Sequence, residues 1–525
     1  MKKQVRIVWS LVIPVCLGFS DATATAQPIV RSFEGDRGPG LAVCQTGVSH
    51  CGFPDMDAAV NGKQVVQVTW QNVRVYGYDG HLIQSTPLTK FMGDAGLNPI
   101  PPERRNLAGP SVPGPIEPHT VYDEFIDRWI VTATGASDSF LVSTTPDAMG
   151  SWRGVNLACL QGGPCLDFDP AMRLGYDKNG AYYCGAHMGD DNPNTIPKIG
   201  YDCLAVPSAE VQAIGAGKPP SHITRVHNMP LDILPAIDHN PEKASDAPAF
   251  FMTKTCDRVV MGGCQNSINY PFQWVVETFT WNGPTGTFHA DGEQTVRTDV
   301  GSKRDKWLYS KPCCGRSGVI PQAGNDATSL RTVESHRLTN LVQFGSHLYA
   351  ALPSGPCSKD CGSQGTDTNN VLFWCDVDCT KTAACVVRQT GKIAGDFNPA
   401  FATVGADAAG NLGIVAMSST VKTDLSILLW TRRKSDPPNS ISGPVTVVAG
   451  TQPYTCETNT GFASVGNPAG ILTSLDPSEG TRLWTTAQWG NDAAPCVWNT
   501  RIVSYQIVPA RRAAVGSRPA RRKRP

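Results

Sequence analysis

The sequence predicts an all-β fold, a seven-bladed β-propeller made of four-stranded antiparallel blades with disulfide-clipped loops. Three observations lead to this prediction. A two-strand pattern recurs seven times along the 525-residue chain, a third strand-like run follows each copy, and the 51 Gly and 41 Pro residues favour short elements joined by turns. Radial repetition of small sheets hides most of the strand edges that such a chain would otherwise expose.

Each copy of the repeat opens on a polar residue, continues through a short apolar stretch and an acidic or Asn/Gly turn, and ends in a second apolar strand. The seven copies are Asp55–Val68, Pro118–Ala133, Asp169–Cys184, Leu234–Thr253, His336–Ala351, Asn398–Met417 and Asn467–Thr486. The third strands are predicted at Val73–Tyr78, Ser139–Thr144, Tyr201–Val206, Trp274–Thr280, Val371–Val377, Ser426–Trp430 and Thr500–Ile507. A modest helix is predicted over Ser208–Ala216, and Pro28–Phe33 is a candidate for an outer strand that closes the ring.

The chain divides into three predicted segments. Residues 1–26 have the pattern of a secretory signal peptide, because a basic start and the apolar run Ile7–Phe19 precede a stretch of small residues. Residues 27–510 form the propeller, and residues 511–525 are a basic tail expected to be disordered, since it has no apolar face. The apolar run is too short to cross a bilayer comfortably, so we expect a secreted protein, extracellular or periplasmic, without a membrane span.

The formal net charge of zero, from 45 basic and 45 acidic residues, conceals an uneven distribution. The tail holds seven basic and no acidic residues, and residues 1–26 hold three basic and one acidic, which leaves residues 27–510 with 35 basic and 44 acidic, a net charge of −9. The neutral total therefore does not argue against binding charged polymers, and the acidic body and the basic tail would bind polymers of opposite charge. Nucleic acid is not an expected partner. The tail is expected to contact anionic envelope polymers, with an affinity that falls as the salt concentration rises. The alternative is that it is a solvated terminus without a function.

Loss of Cys16 with the signal peptide would leave 17 of the 18 cysteines, and most of them fall into predicted disulfide pairs. The pairs are Cys44–Cys51, Cys159–Cys165, Cys256–Cys264, Cys357–Cys361, Cys379–Cys385, Cys184–Cys203 and Cys456–Cys496. Cys313, Cys314 and Cys375 are left over, and a vicinal bond between the first two stays open. A zinc site is the weaker interpretation, because no second Cys-x-x-Cys pair matches.

Two motifs resemble those of secreted bacterial sialidase-like propellers. Thr145–Trp152 (TPDAMGSW) resembles the Asp-box turn with its Gly displaced by one place, and Leu475–Trp484 (LDPSEGTRLW) is similar to an Asp-Pro-Ser-x-Gly-Thr-x-x-Trp stretch of that group. The resemblance covers most of residues 54–508. It implies a fold in which the Asp caps its own turn and the Trp packs between strands, and it implies no chemistry. The arginine triad and the Tyr–Glu pair of true sialidases have no counterpart here, so no specific enzyme family is matched.

Polar residues open every repeat. Because inner strands of a propeller begin near the channel mouth, these residues are expected to converge although they are distant in sequence. They are Asp55, Asp57, Glu117, His119, Asp167, Asp169, Asp232, His336, Arg337, Asp396, Asn398 and Asn467.

Three kinds of chemistry fit this ring, and the sequence leaves them open. Carboxylates and amides are ligands for Ca²⁺. Two carboxylates can hydrolyse a glycosidic bond as acid and as nucleophile or base. Alternatively His119 or His336, helped by Arg173, Arg337 or Tyr176, can abstract the proton beside a uronate carboxylate in a lyase reaction. The competing interpretation is structural, with these residues capping turns and hydrogen-bonding across blades.

We therefore predict action on an extracellular polysaccharide, as a glycoside hydrolase or a polysaccharide lyase. The alternative is a non-catalytic propeller that binds glycans or proteins in adhesion. The predicted catalytic residues are His336, His119, Asp169, Asp55 and Arg173, and the predicted substrate-binding residues are Asp232, Arg337, Asn398 and Tyr176. No cofactor is required, Ca²⁺ is a candidate metal, and a monomer is expected.

Overall fold

Strands dominate the part of the chain that the computed structural model describes. That part comprises residues 29–40, 54–97, 116–134, 139–157, 168–188, 199–226, 229–230, 233–254, 258–260, 263–265, 274–296, 318–323, 325–332, 338–354, 371–381, 385–456, 463–465, 473–492 and 494–507. It contains 34 strands and two short helices. The predicted signal peptide, the basic tail, His336, Arg337 and Asp232 lie outside it.

The strands follow one another along the whole described chain. The first are β1 (Ile29–Arg37), β2 (Asp57–Val60), β3 (Gln64–Val68), β4 (Asn72–Gly77), β5 (Leu82–Pro87), β6 (Ile116–Asp123), β7 (Arg128–Thr134), β8 (Ser139–Ser143), β9 (Trp152–Asn156), β10 (Phe168–Asp177), β11 (Gly180–Met188), β12 (Ile199–Pro207) and β13 (Thr224–Val226). Next come β14 (Leu234–Pro235), β15 (Ile237–Asp238), β16 (Ala249–Lys254), β17 (Arg258–Val260), β18 (Gly263–Gln265), β19 (Trp274–Asn282), β20 (Thr285–Val296), β21 (Gly318–Gln322), β22 (Asn325–Thr332), β23 (Val342–Phe344) and β24 (His347–Ser354). The last are β25 (Val371–Asp378), β26 (Val386–Ile393), β27 (Asn398–Ala406), β28 (Leu412–Thr420), β29 (Thr423–Arg432), β30 (Ser442–Val448), β31 (Ala463–Val465), β32 (Thr473–Leu475), β33 (Arg482–Trp489) and β34 (Asn499–Gln506).

Two short helices each follow a strand. Helix α1 (Leu88–Asp94) follows β5, and α2 (Ser208–Gly215) follows β12 where a helix was predicted. The apolar face of α2 buries Val211 and Ile214. Within the described residues, neither helix is long and apolar enough to cross a membrane.

The molecule is an all-β propeller with four-stranded blades, but the predicted number of seven is wrong. Five sheets of the described residues have four strands, in the orders β2-β3-β4-β5, β6-β7-β8-β9, β14-β16-β19-β20, β27-β28-β29-β30 and β1-β34-β33-β32. The short strand β15 pairs in parallel with both β10 and β23, through Tyr176 with Ile237 and Ile237 with Val342. These ladders merge β10 to β13 and β23 to β26 into one nine-stranded sheet. Separately, β21, β22 and β31 form a three-stranded sheet, and β17 pairs with β18.

The ring closes with a strand from the beginning of the chain. β1 pairs antiparallel with β34, with Phe33 opposite Ile502 and Glu34 opposite Arg501. This pairing confirms the predicted closing strand, which the structure extends to Arg37. Because β1 covers the edge of β34, the sheet formed by the C-terminal strands does not present that edge to solvent.

The acidic turn of the repeat has a local structural cause. At the end of each of several inner strands a carboxylate accepts a hydrogen bond from the backbone N–H two residues later, which is an Asx turn. The pairs are Asp123 with Phe125, Asp177 with Asn179, Asp238 with Asn240, Asp407 with Ala409 and Asp476 with Ser478. The caps fix where each hairpin reverses, and they therefore fix the register of the residues that precede it.

The core lies between neighbouring sheets. Strands such as β27 and β28 are buried at every position, because sheets cover both of their faces, whereas the outer strand β5 is buried only at Thr86. The largest fully buried side chains include Trp129, Trp274, Trp374 and Trp484. Burial of such large aromatic groups supplies much of the driving force for packing sheet on sheet.

Three predicted disulfides are present, Cys184–Cys203, Cys379–Cys385 and Cys456–Cys496. The other four predicted pairs, and Cys313 with Cys314, involve residues outside the described part of the chain. Cys375 is a buried free thiol, and burial raises its pKa. Disulfides are typical of proteins from oxidising compartments.

Candidate active site

Three neighbouring inner strands bring predicted site residues to one level of the propeller. β6 packs beside both β2 and β10, and each of the three strands ends at a hairpin turn. The residues that cap these turns are Asn61, Asp123 and Asp177. Asp57, His119 and Arg173 each precede their cap by four residues. Equal spacing from equivalent turns puts the three side chains at the same level on adjacent strands, about 13 Å from the turns at the usual rise of a strand.

Asp57 and His119 are in contact and buried. Asp57 Oδ2 accepts a hydrogen bond from the Thr120 N–H at 2.9 Å and lies 3.4 Å from His119 Nδ1, and its Oδ1 accepts from the Ala58 N–H at 2.7 Å. Burial raises the pKa of Asp57, against the opposing effect of these hydrogen bonds. His119 Nε2 makes no hydrogen bond to the described residues. The carboxylate can therefore orient the imidazole, and Nε2 is the atom left to exchange a proton.

Two further carboxylates stand where the inner strands begin. Asp55 and Glu117 lie two residues before Asp57 and His119, and both are buried. Their backbones have positive φ angles of 41° and 49°, which are unfavourable for residues other than glycine. Phe401, within β27, has a φ of 47° at a register shift. Such strain costs on the order of 1–3 kcal/mol per residue and is retained mostly where a site requires it.

The other predicted site residues are distributed differently. Asn398 begins β27, is buried, and donates from Nδ2 to the Ser419 carbonyl at 3.0 Å, so it joins two strands of its own sheet. Asp169 lies on β10 opposite Ala186. Tyr176 lies three residues beyond Arg173, next to the hairpin turn. The described residues therefore place Asp55, His119 and Arg173 toward one end of the inner strands and Tyr176 toward the other.

Tyr176 belongs to a second polar cluster, at the turn end. Its hydroxyl donates to Glu124 Oε2 at 2.5 Å, and the other carboxylate oxygen lies 2.7 Å from His239 Nδ1. Burial acts to lower the pKa of His239, but the charge of Glu124, its hydrogen bond and the charge of Asp238 together outweigh burial, so the pKa is raised. Burial likewise opposes ionisation of Glu124, yet His239 holds its pKa below the usual value.

A buried ion-pair network lies beside this cluster. Lys243 Nζ is 2.8 Å from Asp177 Oδ2 and 3.1 Å from Asp238 Oδ2, and all three side chains are at most 3% exposed. Asp123 Oδ2 has no hydrogen-bond partner among the described residues, and burial, together with the charge of Glu124, raises its pKa well above the usual value. The two ion pairs of Lys243 tie the end of β10 to the end of β15.

Glu124 and His239 were not among the predicted site residues. The sequence contains a pattern that could have predicted them, because each residue directly follows a capping aspartate of the repeat, Asp123 or Asp238. No group of three or more His, Cys, Asp or Glu side chains in the described ranges has the geometry to hold a metal ion. Calcium binding stays a prediction from the sequence.

No family model matches the chain, and no curated protein does. Among solved structures, the chain is similar to Drosophila Semaphorin 1b extracellular domains 1–2, with 9% identity, a TM-score of 0.37, and coverage of 91% of this chain and 86% of that one. A polysaccharide lyase described as an ulvan lyase gives 10% identity and a TM-score of 0.43, with coverage of 84% of this chain and 90% of that one. Trypanosoma rangeli sialidase gives 9% identity and a TM-score of 0.31, with coverage of 74% of this chain and 54% of that one. Likenesses at these TM-scores identify neither a family nor an activity.

Proposed function

We propose that this protein is a secreted propeller that acts on an extracellular polysaccharide and cleaves uronic acid chains by elimination at His119. The observation that carries the proposal is the Asp57–His119 contact, in which Nδ1 faces a carboxylate and Nε2 has no partner in the described part of the chain. A general base needs this combination of a fixed imidazole and an available nitrogen. Arg173, at the same level on the next strand, supports it by offering a cation for a substrate carboxylate.

The proposed reaction uses these groups in a defined order. Arg173 pairs with the uronate carboxylate and stabilises negative charge that develops there. Nε2 of His119 takes the proton from the carbon beside that carboxylate. The electron pair forms a carbon–carbon double bond, the bond to the glycosidic oxygen breaks, and the leaving oxygen acquires a proton through the imidazolium. Asp57 orients the ring and stabilises its protonated form.

The proposed reaction requires that the substrate reach His119 Nε2. His119 is 1% exposed and Asp57 is fully buried, so substrate has to displace the groups that cover Nε2 before the proton can move. Exclusion of water from the closed site would then strengthen the Asp57–His119 and Arg173–carboxylate interactions.

A paired assay tests the reaction. The purified protein is incubated with neutral and with uronic acid polysaccharides while reducing ends and the absorbance of unsaturated products are followed together. Elimination produces both signals on uronic acid chains, and neither on the same chains after their carboxylates have been reduced to alcohols. Reducing ends without unsaturation would replace elimination by hydrolysis. No new ends on any substrate would overturn an enzymatic function.

The second candidate is a non-catalytic glycan-binding propeller, and the burial of Asp57 and His119 favours it. Buried polar groups of this kind also occur as purely structural networks between strands. Retained glycan binding without new chain ends would support this function.

Secretion is part of both candidates. Disulfides such as the three described here are typical of proteins from oxidising compartments, which supports the extracellular space or the periplasm as the proposed location. Polysaccharides of the cell envelope or its surroundings would be available to the protein there.

A further inference from the structure

A pocket of about 210 Å³ lies on the outer side of the first two four-stranded sheets. It is enclosed by β4 and β5, by helix α1, and by the turn 145–152 that joins β8 to β9. Asp57 lies on β2, three strands away from β5 in the same sheet, which is about 14 Å at the usual strand spacing. The pocket is therefore separate from the Asp57–His119 site.

The pocket combines an apolar floor with a charged mouth. Val73, Val75, Phe91 and Trp152 line it and are buried, and the Phe91 and Trp152 rings meet edge to face with centroids 4.9 Å apart. At the mouth, Arg153 is exposed and makes no salt bridge within the described ranges. An apolar surface beside an exposed guanidinium suits a ring that carries one negative charge.

Neutral hydrogen-bonding groups surround the same mouth. Gln84 and Ser151 are exposed, and the buried Thr86 hydroxyl accepts from Gln84 Nε2 at 2.8 Å. Asp94 adds a carboxylate that is paired with Lys90 and 60% exposed. Hydroxyl groups of a sugar can donate to Asp94 and can exchange hydrogen bonds with the amide and hydroxyls.

The turn that forms one wall is held rigidly by the neighbouring sheet. Asn61 Nδ2 donates to the Pro146 carbonyl at 2.9 Å, and the Gln64 amide both donates to Asp147 Oδ1 at 2.8 Å and accepts from the Ala148 N–H at 2.9 Å. Asp147 Oδ1 also caps the turn by accepting from the Met149 N–H at 2.9 Å. A wall fixed in this way before binding costs little ordering entropy when a ligand enters.

We propose that this pocket binds a single anionic sugar residue of a polysaccharide, with Arg153 on the acidic group and the apolar floor beneath the ring. The pocket is smaller than the roughly 300–1,000 Å³ typical of sites for drug-sized ligands, which fits one ring. The choice of an acidic sugar rests on the proposed function. The site itself requires no cleavage, and it would hold a chain on the outer side of the propeller.

Calorimetric titration of the full chain tests the site, with tetragalacturonate as the probe and its fully methyl-esterified form as the uncharged match. The titrations use His119→Gln protein, so that the probe is not consumed. We expect tetragalacturonate to bind at least tenfold more tightly than the ester. Arg153→Gln should remove that difference without changing the melting temperature. Lys381→Gln, which removes an exposed cation from the bend that follows β25, should retain it.

The outcomes separate this inference from the proposed reaction. Equal binding of tetragalacturonate with and without the Arg153→Gln change, or no binding of either probe, would overturn the pocket proposal even if wild-type protein cleaves uronic acid chains. Arg153-dependent binding without any cleavage would uphold the pocket and overturn elimination.

Discussion

Replacing His119 with glutamine should separate the chemistry of the site from its contribution to stability. The change removes Nε2, which makes no hydrogen bond to the described part of the chain. It also removes the contact of Nδ1 with Asp57, which at 3.4 Å is long. A net hydrogen bond contributes about 0.5–1.5 kcal/mol, so the free energy of unfolding should fall by no more than that. The glutamine amide can still donate to Asp57.

The effect on the rate should be larger. Loss of a general base lowers the rate by about 10²–10⁴-fold, which corresponds to roughly 2.7–5.4 kcal/mol in the activation free energy. The measurements are kcat/KM for formation of unsaturated product and the free energy of unfolding in urea. His347→Gln is the matched control, since His347 Nδ1 faces Asp376 Oδ1 at 2.6 Å on a different sheet and should leave the rate unchanged.

One result would refute the reasoning about His119. If His119→Gln lowers the free energy of unfolding by more than about 3 kcal/mol, the range for breaking a buried ion pair, while the rate equals that of wild type, His119 is a structural residue.

Two further predictions concern the turn end of the inner strands. Asp177→Ala leaves buried Lys243 with Asp238 alone and should lower the free energy of unfolding, measured in urea, by about 3–5 kcal/mol. Asp407→Ala removes a turn cap that takes part in no ion pair among the described residues, so it should lower the free energy of unfolding by less. Equal losses in the two variants would contradict this explanation. Stabilisation by the Glu124–His239 pair should be complete above the ordinary Glu pKa of 4.5 and below the ordinary His pKa of 6.5, and it should be lost as pH falls through the lowered pKa of Glu124 or rises through the raised pKa of His239. Melting temperatures measured from well below pH 4.5 to well above pH 6.5 should show a wild-type advantage over His239→Gln that is greatest between these two values and shrinks on both sides. A constant difference over this wider range would contradict the pairing.

The sequence was sufficient to predict the repeating two-strand unit, and the physical reason is local. An apolar run followed by a capping residue such as Asp177 or Asp407 specifies where a hairpin reverses, whichever neighbours it later acquires. The prediction that Asp57 and His119 converge came from a different pattern, because both belong to the polar residues that open their repeats, and the structure brings these two into contact. The closing strand was predictable because Pro28–Phe33 precedes the first repeat and has no partner nearby in the chain.

The number of blades was not predictable in this way. The merger of two groups of strands depends on β15, a two-residue strand whose pairing with Tyr176 and Val342 spans distant parts of the chain. Periodicity carries no information about such a short parallel contact. The Glu124–His239 pair was missed because the prediction considered only the residues that open each repeat, whereas both partners follow a capping aspartate at its turn.

The pairing of β1 with β34 also constrains the order of assembly. During synthesis β1 is made among the first described residues and has to wait for its partner, which is among the last, so the ring can close only after nearly the whole described chain exists. Until β1 pairs with it, β34 has an open edge, which is the kind of surface that promotes aggregation. A contact of such long range makes closure a slow step in folding. Strand β1 thus completes the ring, and its absence would expose the edge of β34 to pairing with other chains.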